Sequence, residues 1–213
     1  MQVRVLGICS SPIQGGNTEV FLSRALGRAQ AEPEVETRLV SLAGKRVDSC
    51  KHCNWCMGKQ TAQEFCAQKD DMAGIYPLVL EADVLLLATP VYIGRLSGYL
   101  ANFMDRLRAF IYGKVYKGPL VNKVGGALAV GWYRHAGLET ALQSVVAGFL
   151  TLGMIPVNTP HCPWGAPAVA SQGGTGGFDK RIRHGVLEDA WGLEAAEALA
   201  VRAVDLARRI KAG

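Results

Sequence analysis

Apolar residues along this chain come in short bursts, separated by longer stretches of mixed character. The bursts have the length of strands, and the mixed stretches carry helical spacing. Residues 2–8 (QVRVLGI) predict a first strand. Residues 17–30 predict a helix, capped by Asn17 or Thr18 and with Glu19 in its first turn. Residues 34–41 alternate like a half-buried strand, and Asp70 and Asp71 open a helix that runs to about Glu81. Residues 83–88 (DVLLLA) are apolar almost throughout, as expected of a strand in a sheet covered on both faces. A helix over 97–110, a strand over 124–131, a helix over 137–152 and a last short strand over 154–158 complete the alternation. From Pro160 to Gly177 proline and glycine dominate, which predicts a flexible stretch. A closing helix from about Val186 places Ala196, Leu199, Ala203, Leu206 and Ile210 on one face, a stripe for core packing.

Five strands, each followed by a helix, predict an α/β fold with helices on both faces of a doubly wound parallel sheet. The flavodoxin-like strand order 2-1-3-4-5 is the leading topology. With no internal repeat, residues 1–213 read as a single domain. It has two excursions, a cysteine loop at 44–69 and a Pro/Gly-rich loop at 160–180. Trp164 and Phe178 are large anchors in the second loop, which is expected to cover a site or meet another subunit. Ligands of such sheets bind beyond the carboxyl ends of the strands, at the switch between strands 1 and 3. That selects the loops at 9–17 and 89–96, with 131–138 beside them.

The first loop (CSSPIQGGNT) brings hydroxyls, small residues and free backbone N–H groups to a helix N-terminus, which suits a phosphate. Ser11, Asn17 and Thr18 can add hydrogen bonds. It is neither a Walker A loop nor a dinucleotide fingerprint. In the second loop Pro90 stiffens the chain, Gly94 permits close backbone approach, and Tyr92 offers a flat surface to a planar ring. The third (GWYRHAG) interleaves aromatics and glycines and could border the same ring, with Arg134 stabilising negative charge on it.

Charge excludes little. The formal net charge is +5, spread without a dense basic tract, so nucleic acid is not implied. No apolar run reaches membrane-spanning length, and the start of the chain enters a strand too soon for a secretory signal. A cytoplasmic protein is the expectation. There, clustered cysteines are metal ligands or reactive thiols more often than disulfides.

Cys50, Cys53, Cys56 and Cys66 form such a cluster, reading C-x2-C-x2-C-x9-C. Thiols this closely spaced cannot all be core residues of one regular element, but a loop can converge them on one soft metal. Four thiolates complete the ligand set of a cubane iron–sulfur cluster or a tetrahedral zinc. Cys9 and Cys162 stand apart and read as inert.

The turn S-S-P-x-x-G-G-N-T, the segment A-T-P-V-Y-I-G and the following G-Y-L-A-N-F-M-D-R resemble the NADPH-dependent FMN reductase superfamily. The cysteines followed by Asp70-Asp71 resemble its iron–sulfur flavoprotein branch. The resemblance implies FMN, with its phosphate on Ser11, Gly16, Asn17 and Thr18 and its isoalloxazine against Pro90, Val91, Tyr92, Ile93 and Gly94. Ser10, Thr89, Gly131, Arg134 and Gly137 complete the expected cofactor residues. It also implies a [4Fe-4S] cluster on Cys50, Cys53, Cys56 and Cys66, a ferredoxin-type donor or NAD(P)H, and a homodimer or homotetramer. Two departures stand out. Ile13 occupies the place of an arginine common in the family turn, so the phosphate loses a cation or recruits one from elsewhere. The nine residues between Cys56 and Cys66 exceed the compact spacing of the branch.

Three functions fit these residues. The first is an electron-transfer oxidoreductase with FMN and a [4Fe-4S] cluster, serving a small-molecule or protein acceptor. The second is a cluster-free NAD(P)H-dependent FMN or quinone reductase, and the third a zinc-stapled binding module. No side chain is required as a catalytic acid, base or nucleophile, because the chemistry belongs to the cofactors.

Overall fold

The computed structural model describes residues 1–213. Its strands are β1 (Val3–Cys9), β2 (Val35–Ser41), β3 (Val84–Tyr92), β4 (Arg95–Leu96), β5 (Val124–Gly131), β6 (Ile155–Val157) and β7 (Ala166–Val169). The helices are α1 (Asn17–Gln30), α2 (Trp55–Lys59), α3 (Met72–Glu81), α4 (Gly98–Arg106), α5 (Arg108–Ile111), α6 (Leu138–Thr151) and α7 (Ala190–Lys211), with a 3-10 turn at Gly185–Glu188. The sheet order is β2-β1-β3-β5-β6, parallel throughout. β4 is only a two-residue antiparallel return on the end of β3. With it set aside, the order is the predicted flavodoxin-like one.

Side-chain alternation along the central strands builds two cores. Leu85 and Leu87 of β3 join Leu6, Ile8, Ala127 and Ala129 on one face, beneath α3, α4, α5 and α6. Val84, Leu86 and Ala88 join Val3, Val5, Leu128 and Val130 on the other, beneath α1 and α7. Successive strand residues point to opposite faces, so a strand buried on both sides must be apolar throughout. The DVLLLA run is the sequence trace of that burial. No helix is long and apolar enough to cross a membrane.

Several sequence expectations need correction. The five predicted parallel strands form the core of the sheet, and β4 and β7 add to it. β6 pairs only with Val124–Gly126, and β7 continues the same edge along Leu128–Gly131. Part of the stretch expected to be flexible is therefore structured, with Ala166, Ala168 and Val169 buried. Pro167 is tolerated because the strand lies at an edge. Gly165 enters it at φ 138°, where a Cβ would sit 2.2 Å from the Ala127 carbonyl oxygen. Gly16, not Asn17 or Thr18, is the N-cap of α1, and no side chain caps it. The expected helix over 97–110 divides at Leu107. The last helix starts at Ala190, where the Gly192 N–H donates to Asp189 Oδ1. Of its predicted stripe, Ala196, Leu199 and Ala203 are buried, whereas Ile210 is exposed.

Candidate functional site

A cleft of about 550 Å³ opens where the carboxyl ends of β1, β3 and β5 converge. Three chain segments line it. The β1–α1 turn contributes Ser11, Ile13, Gln14, Gly15, Gly16, Asn17 and Thr18; β3 contributes Pro90, Val91 and Tyr92; β5 contributes Val130, Gly131 and then Trp132. The turn is held by its own backbone. The Gly16 N–H donates to the Ile13 carbonyl, and the Ile13 N–H donates to Ser11 Oγ at 3.1 Å. Gly15 takes a left-handed φ of 64°. The first N–H groups of α1 have no partner within the helix, and together with the helix dipole they favour an anion at this end. At the other end Val91, Val130 and Trp132 give apolar wall. Tyr92 is half-exposed, and partial burial raises the pKa of its phenol, with smaller contributions from Tyr99 and Cys9. Beneath the turn, burial pushes the Cys9 thiol up to about 11, against a lowering hydrogen bond from the Ser11 backbone. The dimensions and donors fit a flat ring bearing a phosphate tail.

Some expected residues brace the cleft rather than line it. Ser10 and Thr89 are fully buried. Ser10 Oγ donates to the Ala88 carbonyl and Ser97 Oγ to the Ser10 carbonyl, while the Ser97 N–H donates to Thr89 Oγ1. These bonds lock the ends of β1 and β3 to the start of α4. Ile93 is almost wholly exposed at the tip of the β3–β4 return, and Gly94 sits beside it at φ 71°. Gly137 backs onto Gly94, and a Cβ on it would lie 2.3 Å from the Gly94 carbonyl oxygen. Arg134 turns to Asp189, with Nη2 3.7 Å from Oδ1. Ile93, Gly94, Arg134 and Gly137 therefore stand outside the lining.

Arg183 and His184 escaped the sequence reading, and Ala170 lies in the loop expected to cover a site. Ala170, Arg183 and His184 reach the cleft from the C-terminal segment. His184 Nε2 lies 2.9 Å from the Gly15 carbonyl, which can only accept, so this nitrogen carries the proton. The Val186 N–H donates to Asn17 Oδ1 at 3.0 Å. The one hint in the sequence was the missing cation at Ile13. A larger hollow of about 710 Å³ lies elsewhere, between α7 and residues such as Arg28 and Asn158. It is lined by mixed charges and by none of the loops that follow β1, β3 and β5, so position in the fold favours the smaller cleft.

The cysteine loop leaves the carboxyl end of β2 and packs against α4 and α5. Asn102 Nδ2 donates to the Val47 carbonyl, and the Lys114 N–H donates to the Cys56 carbonyl. Gln60 is buried and donates to the Ala109 carbonyl, while its Oε1 accepts from the N–H groups of Val115 and Tyr116. Phe65 stacks on Tyr76 and Tyr116. All four thiols are free. Burial raises the Cys56 thiol pKa, Arg108 opposes this from 3.8 Å, and Cys66 and Cys50 lie near enough to add to the rise. Cys53 stands exposed between His52 and Asn54, both in left-handed backbone. The donor chemistry fits a soft metal centre, although no three His, Cys, Asp or Glu side chains are gathered as a metal-binding group. α4 spans about 14 Å at the usual helical rise. It starts at Ser97 under the cleft, and Arg108, just past its other end, reaches Cys56 Sγ at 3.8 Å.

Comparison with known proteins agrees with this geometry. A model of the family described as NADPH-dependent FMN reductase matches residues 3–166. An iron–sulfur flavoprotein of Methanocaldococcus jannaschii is 36% identical over 211 residues, covering 98% of this chain and 100% of the relative. An iron–sulfur flavoprotein of Methanosarcina thermophila is 36% identical over 156 residues, covering 73% of this chain and 78% of the relative. The crystal structure of RosB with bound 8-demethyl-8-formylriboflavin-5'-phosphate superposes with a TM-score of 0.75 at 18% identity, covering 98% of this chain and 80% of that one. At that identity the likeness speaks for the fold alone.

Proposed function

The chain belongs to the NADPH-dependent FMN reductase family and is a flavin-dependent oxidoreductase, and we propose that it carries FMN in the cleft and a [4Fe-4S] cluster on the cysteine loop. In this reading it passes electrons from a ferredoxin-type donor or NAD(P)H to a small-molecule or protein acceptor, as a homodimer or homotetramer. The observation that carries the reading is the joint presence in one chain of a cleft and a thiol loop suited to two such centres. A phosphate-and-ring cleft lies at the strand ends, and a loop of four free thiols is tied to the helix that starts beneath that cleft.

When bound, FMN supplies one- and two-electron chemistry and the cluster single-electron chemistry. The protein supplies place and surroundings. Ser11, Asn17, Thr18 and the first N–H groups of α1 receive the phosphate. Pro90, Val91, Tyr92 and Trp132 form the wall against the ring, and the Ser10–Thr89–Ser97 bonds hold that wall rigid. Cys50, Cys53, Cys56 and Cys66 would hold the cluster, with Cys53 turning inward to complete the set.

One observation favours a second reading, a cluster-free NAD(P)H-dependent FMN or quinone reductase: Cys53 is exposed, whereas Cys50, Cys56 and Cys66 are partly buried. An anaerobic spectrum with iron and sulfide assays separates the two. The first expects broad brown absorbance beneath the flavin bands, lost in Cys53→Ala with FMN retained. An iron-free yellow protein that is reduced by NAD(P)H, and unaffected by Cys53→Ala, would establish the second.

A further inference from the structure

The β1–α1 turn presents an anion site without a cation. Every residue it contributes to the cleft is neutral. A flavin phosphate carries about −1.5 to −2 charges near neutral pH, whereas the end of a helix offers about +0.5. The remaining charge needs another partner.

The C-terminal segment brings one. Val186 is fully buried in the core beneath α1, and its N–H donates to Asn17 Oδ1. Gly185 passes so close to the sheet that a Cβ would meet the Ala170 carbonyl oxygen at 2.0 Å. His184 donates to the Gly15 carbonyl. Three consecutive residues are thus pinned to the turn or to the strand edge beside it, and the residue just before them is Arg183. It is the one arginine or lysine in the lining, and no carboxylate lines the cleft with it. Of the nearby arginines, Arg181 is paired with Asp179 at 2.7 Å and Arg134 faces Asp189, while Asp179 and Glu188 line the adjoining hollow that Arg183 also borders.

We propose that Arg183 is the cation that receives the FMN phosphate, delivered by the C-terminal segment to a turn that has none. The proposal rests on the reading that the cleft holds FMN. Because Arg183 is held through Val186 and His184, phosphate binding and docking of this segment on α1 become one event.

Titration of flavin-free protein with FMN and with riboflavin, which lacks the phosphate, tests this. Arg183→Gln should weaken FMN binding about tenfold or more, the usual weight of a charge-assisted hydrogen bond, and leave riboflavin unchanged. Arg183→Lys should recover part of the loss. Ile13→Arg added to Arg183→Gln should recover it from the opposite side, because Ile13 lines the same cleft. An Arg183→Gln protein that keeps FMN affinity within about twofold of the wild type, or that loses FMN and riboflavin equally, overturns the proposal. A wild-type protein that binds neither flavin overturns the reading of the cleft, and the proposal with it.

Discussion

Asp70 Oδ2 lies 2.5 Å from Arg106 Nη1, in a pair whose side chains are 0% and 1% exposed. A second bond, from Arg106 Nη2 to Asp70 Oδ1, makes the contact bidentate. Arg106 also donates to the Asp48 carbonyl, and the Asp48 N–H donates to Asp70. Asp48, two positions before the first cysteine, and Asp70, four positions after the last, are thereby pinned to one guanidinium on α4. The cysteine loop is closed at its base even though its thiols are not gathered at one point.

Breaking the pair leaves a buried charge without compensation, which typically costs about 3–5 kcal/mol. Asp70→Asn should destabilise the protein by that order in urea unfolding. The effect carries a pH signature. Burial alone would raise the Asp70 pKa, but the Arg106 hydrogen bond and the N–H groups of Asp48 and Met72 outweigh it and hold the carboxyl below its ordinary value. A carboxylate depressed on folding stabilises the protein above its unfolded pKa, and that stability is lost as pH falls through the folded one. Wild type and Asp70→Asn should therefore converge in stability as pH drops below about 4. Parallel profiles down to pH 2, roughly two units lower, would remove Asp70 from the account.

Thr18→Glu puts a carboxylate in the first turn of α1, where the cleft presents its donors. Repulsion by the phosphate should leave the purified protein largely colourless while its circular dichroism remains that of the wild type. Unchanged flavin content would take this turn out of the site.

Gly137→Ala tests the crossing between the third loop and the β3–β4 return. The residue has φ 100°, and its Cβ would collide with the Gly94 carbonyl. Left-handed backbone alone costs a non-glycine residue about 1–2 kcal/mol, and displacing Gly94 adds to it. Thermal unfolding should shift downward by several degrees, about 2–4 °C per kcal/mol for a chain of this size. An unshifted melting curve would mean the two loops separate without cost.

Thiol reactivity should follow exposure and thiolate content. In metal-free protein at about pH 8, iodoacetamide should modify exposed Cys53 first. Cys9 should resist until the protein unfolds, because it is buried and its pKa is pushed up to about 11. Peptide mapping over time reads the order directly. Early modification of Cys9 would show that the floor of the cleft opens in solution.

Local chemistry made much of this protein legible without its structure. The unbroken apolar run of β5 and the amphipathic period of α1 set their bounds to the residue, because burial on both faces leaves a continuous run and burial on one face a repeating pattern. The turn at 10–18 and the cysteine spacing were equally visible, since each is a contiguous run whose function depends on neighbours in sequence. Periodicity reports that a residue is buried, not what it is buried against. It could not separate Ser10 and Thr89, which brace the cleft, from Ser11 and Pro90, which line it. Pro167 and the surrounding glycines hid β7, because an edge strand tolerates residues that elsewhere signal a loop. The pairings of Arg106 with Asp70, of His184 with Gly15 and of Val186 with Asn17 join residues 36 and 169 positions apart. Such contacts leave no local trace, because the energy that forms them exists only after the chain has folded back on itself.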